Sequence, residues 1–181
     1  ELARIELPDV ELFGERKPEN VWCTAWTPDG SRLLIGAEGE EFDPDDGGIV
    51  VVDTSTWEVA DERVDVRGGV QSMEVSPDGR LLAVGMIVPS VDDAPPGIVR
   101  LLDADTLEEV REFRMGVDDF VYDLSFSPDG RRLAVGVDTG LVYTFDIATG
   151  ALQEMDLVRE ALSGYGPLVH KALDDLESAL R

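Results

Sequence analysis

The chain contains few of the residues from which catalytic and nucleic-acid-binding sites are usually built. Its 181 residues include one cysteine, one histidine and 15 basic residues, against 39 acidic residues. A single cysteine excludes an intrachain disulfide, and a formal net charge of −24 repels phosphate backbones and anionic membranes. No apolar run approaches the about 20 residues of a membrane-spanning helix. We therefore expect neither a nucleic-acid nor a membrane partner.

The acidic excess has an interpretation of its own. Only two of the basic residues are lysines, Lys17 and Lys171. A globule of this charge repels itself at low ionic strength, whereas a Debye length of about 3 Å in molar salt screens the repulsion. The composition resembles that of halophilic proteins, and an ordinary acidic protein from a GC-rich genome is the alternative. The first residues lack the blocks of a signal peptide, so we expect a cytoplasmic protein.

One pattern recurs three times along the chain. It contains a Pro-Asp-Gly turn, at residues 28–30, 77–79 and 128–130, and the prolines lie 49 and 51 residues apart. This period is close to the roughly 40 to 50 residues of a four-stranded propeller blade. Proline presets φ for a tight turn and Asp-Gly supplies a hydrogen bond and a positive φ, so each turn predicts a hairpin. Asp53, Asp103 and Asp146 predict a second hairpin in each repeat.

The predicted fold is all-β, with three four-stranded antiparallel propeller blades over residues 21–66, 67–115 and 116–155. The fourth strands of the first two repeats are expected to begin at Trp57 and Leu107. Residues 1–20 predict an additional N-terminal strand that could close the propeller. In residues 156–181 the apolar period changes from 2 to 3.6, which predicts an amphipathic helical tail. Its apolar stripe must dock on the propeller edge or on another chain, through Val158, Leu162, Tyr165, Val169, Leu173 and Leu176.

Two long insertions separate the second and third strands of the first two repeats, and loops on a rigid scaffold often carry function. The candidate interaction residues in these loops are Glu40, Glu41, Phe42, Asp92 and Asp93. The first loop also offers carboxylate oxygens, which calcium prefers as ligands, from Asp43, Asp45 and Asp46. Because the spacing lacks the distal glutamate of a helix–loop–helix calcium site, a solvated acidic loop is the alternative. We expect no other cofactor.

The first strand of each repeat has two faces. Trp26, Val75 and Phe126 share one register, which we expect to pack against a neighbouring sheet. Glu74 and Asp123 lie on the opposite face, which we expect to line a water-filled central channel.

These motifs resemble those of WD-repeat β-propellers, with YVTN-type bacterial propellers a close second. The resemblance rests on the three turns and on the Leu-Leu-Ile-Gly and Leu-Ala-Val-Gly strands that end at Gly36, Gly85 and Gly136. It implies a rigid platform, usually without catalysis, that binds proteins or peptides. The chain departs from the pattern because it lacks the Gly-His pair, and the signature tryptophan is replaced by Val52, Leu102 and Phe145.

Closed propellers contain about four to eight blades, whereas this sequence predicts three. Open sheet edges must be covered in a soluble protein, so we expect another chain to complete the ring. A homodimer is favoured, and a complementary propeller chain or a longer polypeptide are the alternatives. The predicted function is a non-enzymatic protein-interaction scaffold. A calcium-dependent or small-ligand-binding propeller, using residues 38–48 or the channel carboxylates, is the alternative.

Overall fold

Three antiparallel sheets follow one another along the chain. The computed structural model describes residues 20–38, 47–63, 69–87, 97–115 and 120–156, and in these residues each sheet has four strands in sequential order. Sheet 1 contains β1 (Asn20–Trp26), β2 (Arg32–Glu38), β3 (Gly47–Asp53) and β4 (Glu58–Arg63). Sheet 2 contains β5 (Gly69–Val75), β6 (Leu81–Ile87), β7 (Gly97–Asp103) and β8 (Glu109–Arg114). Sheet 3 contains β9 (Val121–Phe126), β10 (Arg132–Val137), β11 (Leu141–Asp146) and β12 (Leu152–Asp156).

The all-β prediction of three four-stranded antiparallel sheets is confirmed. The additional N-terminal strand and the helical tail lie outside the described residues and stay predictions. Within the described ranges, no helix is long and apolar enough to cross a membrane.

The Pro-Asp-Gly turns form the hairpins that the sequence predicts. Gly30, Gly79 and Gly130 have φ values of 71°, 76° and 68°. Each glycine N–H donates to the carbonyl oxygen three residues earlier, with a nitrogen–oxygen distance of 2.8 Å in all three turns. Positive φ is the conformation in which glycine has no steric cost, so these turns need glycine at this position.

The fourth strands begin one or two residues later than predicted. Trp57 and Leu107 have φ values of 60° and 56°, so both lie in the preceding turn. Their N–H groups donate to the carbonyl oxygens of Asp53 and Asp103 at 2.7 and 2.9 Å. Gly150 occupies the same position in sheet 3, with a φ of 75°. A left-handed residue closes each of these turns, and the strands start after it, at Glu58, Glu109 and Leu152.

The core lies between consecutive sheets. One buried cluster joins sheets 1 and 2, and includes Leu34 and Ile49 from the first sheet and Met73 and Leu82 from the second. A second cluster joins sheets 2 and 3, where the rings of Phe113 and Phe145 stack with their centroids 4.2 Å apart. The first strands β1, β5 and β9 lie at the contacts between sheets. Stability therefore depends on sheet-to-sheet junctions rather than on any one sheet.

The two faces of the first strand are only partly as predicted. Val75 and Phe126 are buried against the preceding sheet, as expected, but Trp26 is 52% exposed. Glu74 lies at the junction of sheets 2 and 3, where its carboxylate accepts a hydrogen bond from the Phe126 N–H. Asp123 is exposed. The face that carries Glu74 therefore packs against the next sheet, and the role of Glu74 and Asp123 in a central channel stays a prediction.

Each junction contains a close contact between a glycine and a valine. A methyl group at Gly36 of β2 would lie 2.6 Å from Val70 Cγ1, and one at Gly85 of β6 would lie 2.6 Å from Val121 Cγ1. Val70 and Val121 lie at the second and first positions of β5 and β9, the first strands of the following sheets, and are fully buried. Glycine allows the valine of the next sheet to rest directly on the backbone of the second strand. We call each such pair a glycine–valine junction contact.

We expect Gly36→Ala and Gly85→Ala each to lower the free energy of unfolding by about 1 to 3 kcal/mol, because each added methyl overpacks a rigid β-branched neighbour. Urea unfolding followed by circular dichroism measures the loss. Val121→Ala removes the atom that the methyl at Gly85 would meet, so the losses of Gly85→Ala and Val121→Ala should be less than additive. At Gly36 the methyl would also lie 2.6 Å from Cys23 Sγ, so Val70→Ala should relieve only part of the loss. Strictly additive losses would contradict a direct contact. Val110→Ala, at an exposed position of β8, serves as the control with little expected effect.

Candidate interaction site

Most candidate residues from the sequence lie outside the described residues. These are the proposed calcium ligands Asp43, Asp45 and Asp46, the loop residues Glu40, Glu41, Phe42, Asp92 and Asp93, and the tail residues Val158, Leu162, Tyr165, Val169, Leu173 and Leu176. Their roles stay predictions. Among the described residues, no group of three or more His, Cys, Asp or Glu side chains could hold a metal ion.

The aspartates of the first hairpins act as turn caps. In the first turn, Asp29 Oδ1 accepts hydrogen bonds from the Thr27 hydroxyl at 2.7 Å and from the Ser31 N–H at 3.0 Å. These donors lower the pKa of Asp29 to about 2. Asp78 and Asp129 accept hydrogen bonds in the same way, from the hydroxyls of Ser76 and Ser127. These bonds are the main reason that the pKa values of both aspartates are lowered. Such local bonding is what a structural turn requires.

The aspartates of the second hairpins are capped in a similar way. Asp53 Oδ1 accepts from the Ser55 hydroxyl and N–H, and the pKa of Asp53 is lowered mainly by these two bonds. Asp103 accepts from the backbone N–H groups of Asp105 and Thr106. The pKa of Asp146 is lowered mainly by its bond to the Thr149 hydroxyl. The carboxylates in both sets of turns are occupied in holding backbone geometry, as the sequence predicted.

Glu74 is the carboxylate whose environment differs from that of the turns. Burial at the junction raises its pKa, and the charge of Asp123 raises it further, while the hydrogen bond from the Phe126 N–H opposes both effects. The carboxylate is half-buried. Because β9 carries no neighbouring strand on this side within its sheet, its Phe126 N–H needs an acceptor from elsewhere. Glu74 therefore links sheet 2 to the free edge of sheet 3.

Cys23 is a half-buried thiol at the junction of sheets 1 and 2. Its Sγ donates to the Val70 carbonyl oxygen at 3.6 Å, and burial raises its pKa to about 12. A thiol with so high a pKa is a poor nucleophile at neutral pH. Its environment comes from the next sheet rather than from Trp22 and Trp26, which are both about half exposed.

Sheets 1 and 3 each have one face without a neighbouring sheet among the described residues. On sheet 1, Val21, Trp22 and Trp26 of β1 are exposed by 53, 48 and 52%. On sheet 3, Tyr122 and Asp123 of β9 are exposed. The residues that correspond to Val21 and Trp26 are buried at both internal junctions. On this face of sheet 1, Ile35, Val50 and Val52 of β2 and β3 are buried, so the exposed apolar side chains are confined to β1. We call Val21, Trp22 and Trp26 the β1 apolar surface.

A cavity of about 560 Å³ lies at the turn end of sheet 3. Its walls combine both signs of charge with an apolar ring, and comprise Ser127, Pro128, Asp129, Arg131, Arg132 and Asp146. At the turn end of the first junction, the corresponding arginine Arg32 forms an ion pair with Asp105 of the following sheet. The cavity therefore lies where the next sheet would place its turn.

Comparison with known proteins agrees with this architecture. The family model described as "WD domain, G-beta repeat" matches residues 108–146, which run from β8 to the end of β11. The chain has a TM-score of 0.60 with a structure titled "Crystal structure of RRP9 WD40 repeats", at 18% identity over 75% of this chain and 38% of that one. The blades are WD-repeat-like propeller blades.

Two further proteins are similar to this chain over only part of their length. The chain is 33% identical over 81 residues to the WD repeat-containing protein SL1-17 of Schistosoma mansoni, which is 45% of this chain and 24% of that protein. A structure titled "Structure of U3-55K" gives a TM-score of 0.60 at 17% identity, over 75% of this chain and 38% of the other. The chain thus spans a quarter to two fifths of the length of these relatives.

A third solved structure shares the fold in an enzyme. The Kuenenia stuttgartiensis hydrazine synthase has a TM-score of 0.60 and 23% identity, over 76% of this WD-repeat-like chain and 35% of that one. At this identity the likeness concerns the fold alone. WD-repeat propellers are typically non-enzymatic and bind protein partners.

The β1 apolar surface and the junction contacts were not predicted from the sequence. A signal was present, because Val21, Val70 and Val121 share one register of the first strands and Gly36, Gly85 and Gly136 share one register of the second. The repeats show that these positions correspond. They do not show that the valine of one blade rests on the glycine of the blade before it.

We expect Glu74→Gln to change stability in a pH-dependent way. The raised pKa means that the folded state binds the Glu74 proton more tightly than the unfolded state. The stability of the wild type therefore falls as pH rises from the ordinary glutamate pKa through the raised one. Glutamine keeps an acceptor for the Phe126 N–H without the charge. The stability of the variant relative to the wild type should thus increase from about pH 4 to pH 7 in urea titrations.

Taking the difference in stability between the variant and the wild type cancels the titration of the carboxylates that both proteins contain. If the hydrogen bond to the charged form dominated instead, the variant would lose stability relative to the wild type over the same pH range. That outcome would contradict the raised pKa. Glu112→Gln, at a half-buried glutamate of β8 that pairs with Arg100 at 3.2 Å, tests whether the trend belongs to Glu74.

Proposed function

We propose that this WD-repeat-like chain is a non-enzymatic protein-interaction scaffold whose open sheets are completed by another polypeptide chain. The observation that carries the proposal is the β1 apolar surface, Val21, Trp22 and Trp26, which lies on the strand that forms the buried junction in the other two sheets. WD-repeat neighbours support a protein-binding role in general terms. The chain that completes the sheets is either a second copy or a complementary protein.

The energetic case follows from what the internal junctions bury. Val70 and Val121 are fully buried, whereas Val21 in the same register is 53% exposed. Burying one large apolar side chain contributes roughly 1.5 to 3 kcal/mol. Trp26 adds a large aromatic surface, and tryptophan is enriched among the residues that dominate binding at protein interfaces. A partner that covers β1 therefore gains binding free energy from the burial of these apolar side chains.

The chemistry of the described side chains supports binding rather than catalysis. The turn aspartates are bonded to their own turns, and Cys23 is held in its protonated form. Glu74 bonds to the backbone of the next sheet rather than to a nucleophile. General acid or base catalysis needs a group free to exchange a proton with a substrate, and these groups have structural partners.

We also propose that the interaction strengthens with salt. Two copies of a chain with a net charge of −24 repel each other, and an acidic partner would be repelled in the same way. Raising the ionic strength from about 0.15 M to about 1 M shortens the Debye length from about 8 to about 3 Å. The apolar contact itself is not weakened by this change, so association should increase.

The direct test replaces Trp26. We expect Trp26→Asp to abolish association, because a charged side chain would be buried in the contact without a partner. Light scattering at about 0.15 M and about 1 M salt measures the mass in solution. Affinity capture with the same protein as bait identifies stoichiometric partners. Val110→Asp provides the matched control, because Val110 is an exposed valine on the outer strand of the middle sheet.

Circular dichroism confirms that each variant is folded before the comparison. The proposal requires that the wild type and Val110→Asp associate and that Trp26→Asp does not. A wild type that is a single chain at both salt concentrations, together with baits that all retain the same proteins, would refute it.

A further inference from the structure

The open ends of the three-sheet array carry the two halves of one glycine–valine junction contact. At Gly136, which corresponds to Gly36 and Gly85, the nearest described atom to an added methyl is Asp123 Cβ of the same sheet, at 3.9 Å. The space that a valine of the next sheet fills at the internal junctions is open here. Val21, which corresponds to Val70 and Val121, is half exposed at the other end.

A second contact leaves the same two ends unmatched. Pro28 Cδ lies 3.6 Å from the position of a methyl group at Gly79, and Pro77 Cδ lies 3.8 Å from that position at Gly130. Each Pro-Asp-Gly turn thus stacks its proline on the glycine of the following turn. At Gly30 no described atom lies within 4 Å of an added methyl. At the other end Pro128 borders the open cavity of sheet 3.

The surface of sheet 3 repeats part of the surface that sheet 2 uses to bind it. On sheet 2 the face toward β9 includes Ala83, Gly85 and Val99, and the alanine and valine are fully buried there. Strand register places Ala134, Gly136 and Val142 at the same three positions of sheet 3. These residues are identical to those of sheet 2, but they are only half-buried. Beside the alanine, Leu101 of sheet 2 is replaced by Thr144 in sheet 3, so the part of the receiving surface around the glycine is present a second time.

We infer that the partner is a second copy of this chain, whose β1 docks on the open face of sheet 3. This inference rests on the proposed function and names its partner. One placement satisfies both contacts: Val21 of the second copy rests on Gly136, and the glycine of its first turn, Gly30, lies against Pro128. Trp26 then takes the place that Phe126 occupies on sheet 2.

The contact is head to tail, because sheet 3 of one copy meets sheet 1 of the other. A two-fold contact between two copies of β1 would cover Val21 and Trp26 but would leave Gly136 and Pro128 unmatched. A head-to-tail contact gives a closed ring only if its rotation closes. Two copies supply six sheets, which is within the about four to eight blades of closed propellers.

The test adds a methyl group on one side of the contact, at Gly136, and then removes side-chain volume on the other side, at Val21. Gly136→Ala fills the open space without meeting another described side chain closely, so the single chain should fold normally. It should weaken the dimer by about tenfold or more, because the methyl meets Val21 of the second copy. Adding Val21→Ala to the same chain makes room and should restore much of the affinity. Sedimentation velocity across a protein dilution series at about 1 M salt measures the dissociation constants.

The control variant is Val110→Ala, which should leave the dissociation constant unchanged. Restored affinity in the double variant supports the inference, since loss of folding would not be repaired by a second truncation. A dimer that Gly136→Ala leaves unchanged overturns the inference, as does a larger ring or a filament. If the wild type is a single chain that captures a different protein through Trp26, this inference fails and the proposed function stands. If it captures nothing, both fail.

Discussion

The fold depends on the approach of one strand to the backbone of another at each sheet-to-sheet junction. Gly36 and Gly85 lack the side chain that would keep Val70 and Val121 away. Glycine in the interior of a strand weakens the strand, because it costs backbone entropy and packs nothing itself. The cost is offset at the junction, where the first strand of the next sheet lies close enough to bury its own apolar face. The sheets therefore stabilise one another in sequence, and an outer sheet has only one such neighbour among the described residues.

Polar contacts across the junctions follow the same direction. Arg32 of sheet 1 pairs with Asp105 of sheet 2, and Arg111 of sheet 2 donates to the carbonyl oxygen of Ile147 in sheet 3 at 3.2 Å. Glu74 extends from sheet 2 to the backbone of β9. An exposed ion pair contributes about 1 kcal/mol or less, so these contacts fix the relative position of the turns more than they supply stability. No Asp or Glu among the described residues is fully buried, so the acidic side chains of these residues lie outside the core.

Local features of the fold could be predicted from the sequence, whereas contacts between repeats could not. Pro-Asp-Gly encodes its own hairpin within four residues, so the turns and the strands that flank them follow directly. Alternation along a first strand shows two faces, but it does not say which group of a neighbouring sheet each side chain meets, so the hydrogen bond between Glu74 and the Phe126 N–H could not be predicted. Leu107 could not be placed from local preference either. Its positive φ is sterically unfavourable for leucine, and burial of its side chain in the core of sheets 1 and 2 offsets this cost.

The residue beside each junction glycine separates the open end from the internal junctions. Cys23 pairs with Gly36 and Ser72 with Gly85, and both are small side chains without charge at neutral pH. At the same position of sheet 3, Asp123 pairs with Gly136. A carboxylate there must lose part of its hydration when a first strand docks beside it, and it has no basic partner among the corresponding residues of β1. The open end therefore carries the apolar shape of an internal junction together with a charge that weakens it. The proposed contact between two copies should therefore be weaker than an internal junction, and less so at high salt, where the charge is screened.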